Sequence, residues 1–309
     1  MLATPWPRVF AHPDWVFELK WDGVRAILSW DGRHVSLRSR RGNDATARYP
    51  ELGVAVADHP VVLDGEIVSL DDAGRPSFER LQQRMNLAGG HLIARAVTAV
   101  PISFVVFDVL YDGTEVLNEP WQRRRHRLEA LPLPAPLVPS TIVEEDPTLL
   151  WDLVDQRRLE GIVAKQKGSP YRPGVRSTEW RKITRFRSAR AVVGGFLPGE
   201  GNRTGTFGSL LVGMWTEAGL RWVGAVGSGF SYASLGAVRD ALDQMRRPDS
   251  PFITDPAMPK QAMWVEPVLV AMVQYKDFTT SGRLRGPSFK GFTDDPPESV
   301  TWDSEGPAT

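Results

Sequence analysis

Short β-rich runs broken by glycine-bearing turns recur along this chain, and that pattern restricts its fold more than any other feature. Trp15–Lys20, Arg25–Trp30 and His34–Ser39 are such runs, separated by Asp22-Gly23 and Asp31-Gly32. Asp-Gly between β-rich segments is a turn signal that predicts hairpins. Val61–Ser69 and Ile102–Leu110 add two apolar strands. Helical spacing is confined to a few segments. Phe78, Leu81 and Met85 recur after a Pro76-Ser77 start, and Asn118–Leu131 and Thr148–Leu159 follow the same period. Pro132, Pro134, Pro136 and Pro139 make the stretch from Leu131 to Ser140 a surface connector. The class is therefore α+β, with antiparallel sheets and few helices.

A second unit begins near Phe186. Ala191–Leu197, Ser209–Trp215, Leu220–Val226 and Met263–Tyr275 are strands with glycine-rich turns. One helix, Tyr232–Arg246, places Leu235, Val238, Leu242 and Met245 on one face. Short strands plus a single helix predict a small barrel of the OB type. A chain of 309 residues has room for both, and the expected domains are 1–186 and 187–309, the second with an acidic tail.

Charge and composition narrow the function. Lys+Arg and Asp+Glu are each 37, so the chain is neutral as a whole and unlike a protein that simply coats nucleic acid. Neutrality hides a stripe: Arg157 to Arg190 holds 11 basic residues against 2 acidic ones. Such a bias predicts a local anionic ligand, a solvated helix face being the alternative. Asp294, Asp295, Glu298, Asp303 and Glu305 make the tail acidic. No apolar run is long enough to span a bilayer, and Met1–Pro7 does not read as a signal peptide. Cysteine is absent, which excludes disulfides, thiol nucleophiles and cysteine-based zinc sites. A cytoplasmic monomer without membrane association is expected.

The sharpest local signal is Glu18-Leu19-Lys20-Trp21-Asp22-Gly23-Val24-Arg25. A strand brings Lys20 to a tight turn, where a deprotonated amine could attack an electrophilic phosphorus. Lys-x-Asp-Gly alone is weak, arising by chance in roughly one chain in fifteen of this size. An exposed lysine on a hairpin is the plain alternative. Specificity comes from the ordered set that follows: Ser39-Arg40-Arg41-Gly42, Leu63-Asp64-Gly65-Glu66, Phe104–Leu110, Glu160-Gly161-Ile162-Val163-Ala164-Lys165, Tyr171–Ser177, Trp180-Arg181-Lys182-Ile183-Thr184 and Arg283–Phe292. Phe107 could be ordinary core, and Asp64 a turn-former. The five histidines show no metal spacing and read as surface or satisfied residues.

From Trp15 to Phe292 this series resembles the ATP-dependent DNA ligases, in particular the compact bacterial type, within the covalent nucleotidyltransferase superfamily. The resemblance implies a nucleotidyltransferase (ATP-grasp-like) domain followed by an OB-fold domain. It implies Lys20 as the nucleophile that forms a lysyl–AMP bond, with Lys182 beside it in catalysis. Glu18 would read the adenine amino group and Phe107 would stack on the ring. Arg25, Arg40, Lys165, Arg176, Lys182 and Arg285 would contact the nucleotide, its phosphates or the nick ends, and Asp294 lies in the same final motif as Arg285. Glu66 and Glu160 would hold Mg²⁺ or Mn²⁺. The partner implied is nicked double-stranded DNA in the bacterial nucleoid, with a Ku-like or other repair protein as a further partner. No separate DNA-binding domain is expected before Trp15, nor an attached polymerase or nuclease.

One position departs from the family pattern. Thr184 stands where a second lysine is usual, and Arg181 or Arg185 are the candidates to replace its charge. The resemblance also implies that the OB domain swings about a hinge near Thr184–Ala189. Alternative functions are an RNA ligase or capping-type nucleotidyltransferase, and a non-catalytic OB-fold nucleic-acid-binding protein. An NAD-dependent ligase is disfavoured by the short chain and the missing zinc-finger cysteines.

Overall fold

The β-rich runs of the N-terminal part assemble into two separate five-stranded sheets. The computed structural model describes residues 1–85 and 87–307, in two units, Met1–Arg185 and Phe186–Thr309. In chain order the first unit contains β1 (Leu2–Pro5), β2 (Trp15–Leu19), β3 (Val24–Trp30), β4 (Val35–Ser39) and β5 (Val61–Val68). Helices α1 (Phe78–Met85) and α2 (Gly90–Ala99) follow, then β6 (Ser103–Asp112) and α3 (Trp121–Ala130). The unit ends with β7 (Leu137–Pro139), β8 (Ile142–Glu144), α4 (Thr148–Gln156), β9 (Gly161–Gln166) and β10 (Arg176–Thr184).

The sheet orders are β1-β10-β9-β2-β8 and β4-β3-β5-β6-β7. Pairing is antiparallel except for β1 with β10 and β6 with β7. Two expectations fail here. Leu137–Pro139, inside the proline-rich connector, forms a short edge strand, a position where proline's missing N–H is tolerated. The turn at Asp22-Gly23 does not close a hairpin: β2 pairs with β8 and β9, whereas β3 pairs with β4 and β5. The chain crosses from one sheet to the other directly after Lys20.

Gly23 makes that crossing possible through close approach rather than turn geometry. A Cβ on Gly23 would lie 2.2 Å from the Ile67 carbonyl oxygen on β5. Backbone cannot yield as a flexible side chain can, so Gly23→Ala should destabilise the unit by about 1–3 kcal/mol. A denaturant titration that left the midpoint unchanged would refute this contact.

The sheets bury different cores. Leu28, Leu37, Leu63, Ile67 and Phe104 fill one beneath β3–β6; Phe17, Ile162, Ala164 and Ile183 pack with Leu150 and Val154 of α4 in the other. His59, just before β5, ties that strand to the end of β6. Its Nε2 and Nδ1 each lie 2.7 Å from a carboxylate oxygen, of Asp112 and Asp58 respectively. Those bonds, Asp112's first, raise the imidazole pKa above its usual value. The stabilisation is complete below the unfolded pKa, about 6.5, and is lost as pH rises through the higher folded value. The melting difference between wild type and His59→Gln should therefore shrink from about pH 6 to about pH 9. An equal difference at both would contradict the assignment.

The second unit contains β11 (Arg187–Pro198), β12 (Phe207–Thr216), β13 (Gly219–Val226), α5 (Tyr232–Gln244), β14 (Arg246–Arg247), β15 (Met263–Tyr275), β16 (Ser288–Thr293) and the short α6 (Trp302–Glu305). Its sheet runs β13-β12-β11-β15-β14, with β16 also on β15. Ser228, after β13, bridges Ser288 at the start of β16, so the sheet curls back on itself as a partly open barrel does. Val192, Leu211, Val223, Leu242 and Val273 lie in its core. Among the described residues no helix is long and apolar enough to cross a membrane.

Candidate active site

Strand alternation sorts the first unit's basic and acidic residues into two facing walls. In one sheet, Val16 of β2, Lys165 of β9 and Trp180 of β10 are cross-strand neighbours, and Glu18, Val163 and Lys182 form the next row. Period two places all six on one face. The interleaved Phe17, Ala164, Ile162 and Ile183 face the α4 core. Lys20 follows β2, and its amide donates to the Gly161 carbonyl at 2.9 Å. Its ammonium donates to Glu160 Oε2.

Glu18 and Lys165 are buried together, with Lys165 Nζ 2.8 Å from Glu18 Oε1. The ammonium also donates to the Phe107 carbonyl at 2.9 Å and lies 4.6 and 4.4 Å from the ring centres of Phe107 and Trp180. A buried ion pair needs such extra partners to offset the loss of water.

The opposite wall comes from the other sheet. Arg25 of β3 stands opposite Glu66 of β5, with Asp64 one step along the same face. Arg25 grips Asp64 through Nε at 2.9 Å and Nη2 at 2.6 Å, a bidentate pair. The Tyr171 hydroxyl donates to the same carboxylate at 2.7 Å. Burial works against the Arg25 charge, but Asp64 more than compensates and raises its pKa. Burial pushes the Glu66 carboxyl up to about 8, with Lys20 and then Arg25 pulling the other way. Between Asp64 and Gly65 the pairing with β6 slips, from Asp108 to Val106, which leaves Phe107 as the extra residue of a bulge. Bulges re-aim side chains, and this one frees Phe107 from the apolar alternation of its strand.

Glu18, Lys20, Trp21, Arg25, Arg40, Glu66, Phe107, Lys165, Arg176, Trp180 and Lys182 all border one cleft of about 240 Å³. Two buried polar atoms on its border residues lack a hydrogen-bond partner: Trp21 Nε1 and Trp180 Nε1. Orphaned polar atoms are uncommon in protein interiors and suit a polar ligand here. Among the described residues no group of three or more His, Cys, Asp or Glu is arranged to hold a metal. Glu66 of β5 and Glu160, the residue before β9, both act electrostatically on the Lys20 neighbourhood. Two carboxylates plus substrate phosphate oxygens are what a magnesium ion normally uses, so this donor set fits one.

Several sequence expectations change. Asp64 is not a turn-former; it is fully buried in mid-strand, where it fixes Arg25. Arg181 cannot replace the charge missing at Thr184, because strand parity turns it to the other face. There its guanidinium lies 3.8 Å from the Trp6 ring centre and 4.3 Å from that of Trp15. Arg185 is paired with Asp155 at 2.7 Å. The basic stripe is not a helix face but two strands and their flanks. Much of its charge is met locally, as in Lys167–Glu144, Arg172–Glu179 and Arg190 with Asp295 and Glu305. Arg285 and Asp294 lie in the second unit; its Arg283 is committed to Asp255 and to the Trp222 carbonyl.

The architecture is that of a nucleotidyltransferase unit joined to an OB-fold unit. Residues 1–184 match the ATP dependent DNA ligase domain and residues 203–296 the ATP dependent DNA ligase C terminal region. The chain belongs to the ATP-dependent DNA ligases. It is 38% identical to the multifunctional non-homologous end joining protein LigD of Mycolicibacterium smegmatis, over 98% of this chain and 39% of that protein. LigD of Pseudomonas aeruginosa is 35% identical over 92% of this chain and 34% of its own length. The chain thus spans well under half of these curated relatives. The ligase domain of M. tuberculosis LigD matches in structure with a TM-score of 0.54 and 36% identity, covering 97% of this chain and 96% of that one. A Lig E DNA ligase, 21% identical with a TM-score of 0.64 and covering 94% and 98%, shares the fold.

Proposed function

We propose that this ligase seals nicks in double-stranded DNA through a covalent lysyl–AMP on Lys20. The observation that carries the reading is Lys20, paired with Glu160, meeting Glu66 in the cleft that Glu18, Phe107 and Lys182 also border. A deprotonated Lys20 Nζ attacks the α-phosphorus of ATP, forming a P–N bond as the bond to the pyrophosphate breaks. AMP then passes to the 5′-phosphate of the nick, and attack by the 3′-hydroxyl releases it. Each step transfers a phosphoryl-type group, so alignment and charge neutralisation carry the catalysis.

Lys182, Arg25, Arg40 and Arg176 are suited to that neutralisation, and Lys165 to holding Glu18 as an acceptor toward adenine. Phe107 offers a ring for the base. Glu66 and Glu160 would hold Mg²⁺ or Mn²⁺, whose charge would favour the ionised form of Glu66 and offset phosphate charge. Arg285 and Asp294 would act from the OB unit on the pyrophosphate. A role in end joining is supported by the names of the LigD relatives, and a Ku-like partner is the further expectation that the resemblance carries.

The test is a mass spectrum of the purified protein. An added AMP mass is expected, removed by pyrophosphate and restored by ATP but not GTP. Discharge of the adduct onto nicked DNA but not nicked RNA separates the DNA reading from the RNA-ligase one. Salt-sensitive DNA binding without any adduct would favour a non-catalytic binder.

A further inference from the structure

A hydroxyl outside the cleft closes a ring of hydrogen bonds around its arginine. Tyr171 lies on the connection between β9 and β10 and is 5% exposed. Its Oη donates to Asp64 Oδ2 at 2.7 Å and accepts from Arg25 Nη2 at 3.3 Å. Arg25 in turn donates twice to Asp64, so three side chains from three segments fix one another. Tyr171 does not border the catalytic cleft, whereas Arg25 does.

We propose that Tyr171 is a positioning residue for ligation, aiming the Arg25 guanidinium into the nucleotide cleft through Asp64. The inference rests on the reading of that cleft given above. Two features make Tyr171 suited to the task. Its ring meets Trp180 of β10 edge-on, at 5.8 Å between centres and 81° between planes, so it couples the wall carrying Lys182 to the wall carrying Arg25. Its own backbone is held as well. The Tyr171 amide donates to the Leu117 carbonyl at 2.7 Å, and the fully buried Arg124 donates to the Ser169 carbonyl at 2.9 Å. Burial first, then the Asp64 charge, raise the phenol pKa, which keeps the hydroxyl a donor at any working pH.

A bidentate arginine–carboxylate pair without the hydroxyl keeps its charges but loses one of three restraints on its orientation. Arg25 is also flanked by a second cavity, of about 530 Å³, lined by Arg38, Arg40 and Tyr171. Released from Tyr171, its guanidinium has somewhere to go.

The experiment is a double-mutant cycle on single-turnover AMP-adduct formation. Tyr171→Phe keeps the ring and removes the bond. It should leave the melting temperature close to wild type and cut the adduct-forming kcat/KM about tenfold, the scale of one hydrogen bond to a charged group. In an Arg25→Ala background the same change should cost less than about twofold, because the group it positions is gone. Where Arg25→Ala forms too little adduct to time, ATP affinity by equilibrium dialysis reads the same cycle. An equal loss in both backgrounds, or no loss in the first, overturns the proposal. Wild-type protein that forms no adduct at all would instead overturn the reading of the cleft.

Discussion

Lys20→Ala is expected to abolish the protein–AMP adduct, with a fall in nick sealing of about four orders of magnitude or more. A covalent route splits one hard displacement into two easier ones, and removing its nucleophile removes the route. The side chain is only partly buried, and its partner is the carboxylate of Glu160, just before β9. The substitution therefore takes one cation from Glu160, whose side chain is 9% exposed. That cost is local, and the fold should survive it. Circular dichroism and melting of Lys20→Ala close to wild type, with no radiolabel transferred from α-labelled ATP, is the expected pair of results. Label retained on the variant would place the nucleophile elsewhere. Lys20→Arg, which keeps the charge and the pairing to Glu160 but cannot act as an amine, should be equally inactive.

Arg124→Ala is expected to be the most damaging change outside the cleft. Arg124 of α3 is fully buried and grips Asp108 of β6 through Nε at 2.8 Å and Nη2 at 2.9 Å. Its Nη1 donates to the carbonyls of Glu119 and Ser169. Truncation strands a carboxylate that is itself 2% exposed and leaves two carbonyls, one of them that of the buried Ser169, short of a donor. Breaking one side of a buried ion pair costs about 3–5 kcal/mol. For a unit of this size that lowers the melting temperature by roughly 10 °C. The paired replacement Arg124→Met with Asp108→Leu should recover most of the loss, because the cost lies in the orphaned charge rather than in the missing attraction. A single variant that melts with wild type would refute the burial argument. Because Arg124 also anchors the segment bearing Tyr171, residual adduct formation in Arg124→Ala should fall further than its stability alone accounts for.

Most of the cleft was legible in the order of the short motifs. Lys20, Glu66, Phe107, Lys165 and Lys182 each sit in a segment with a recognisable pattern, as does Glu160, which pairs with Lys20. Asp64 and Tyr171 lie in the same segments with no local mark of their roles, since the bond between them joins positions 107 residues apart. Nothing local in Leu63-Asp64-Gly65-Glu66 separates a carboxylate that meets solvent or metal from one that locks an arginine.

The two-unit α+β organisation and most strand positions follow from local periodicity and spacing, which neighbouring residues impose on each other, whereas the role of Lys20 is what the ordered motifs imply by resemblance. Sheet membership does not follow locally. The pairings across the Asp22-Gly23 crossing bring together residues remote in sequence, and the energy that selects them comes from long-range burial. Side-chain direction is a consequence of that pairing. Lys182 faces the cleft, while Arg181, its chain neighbour, is turned onto Trp6 and Trp15, although composition treats the two charges alike. The short glycine-punctuated runs from which the fold could be inferred are therefore common to many α+β chains. What distinguishes this chain is the sheet pairing that brings Glu66 of β5 and Glu160, just before β9, near Lys20.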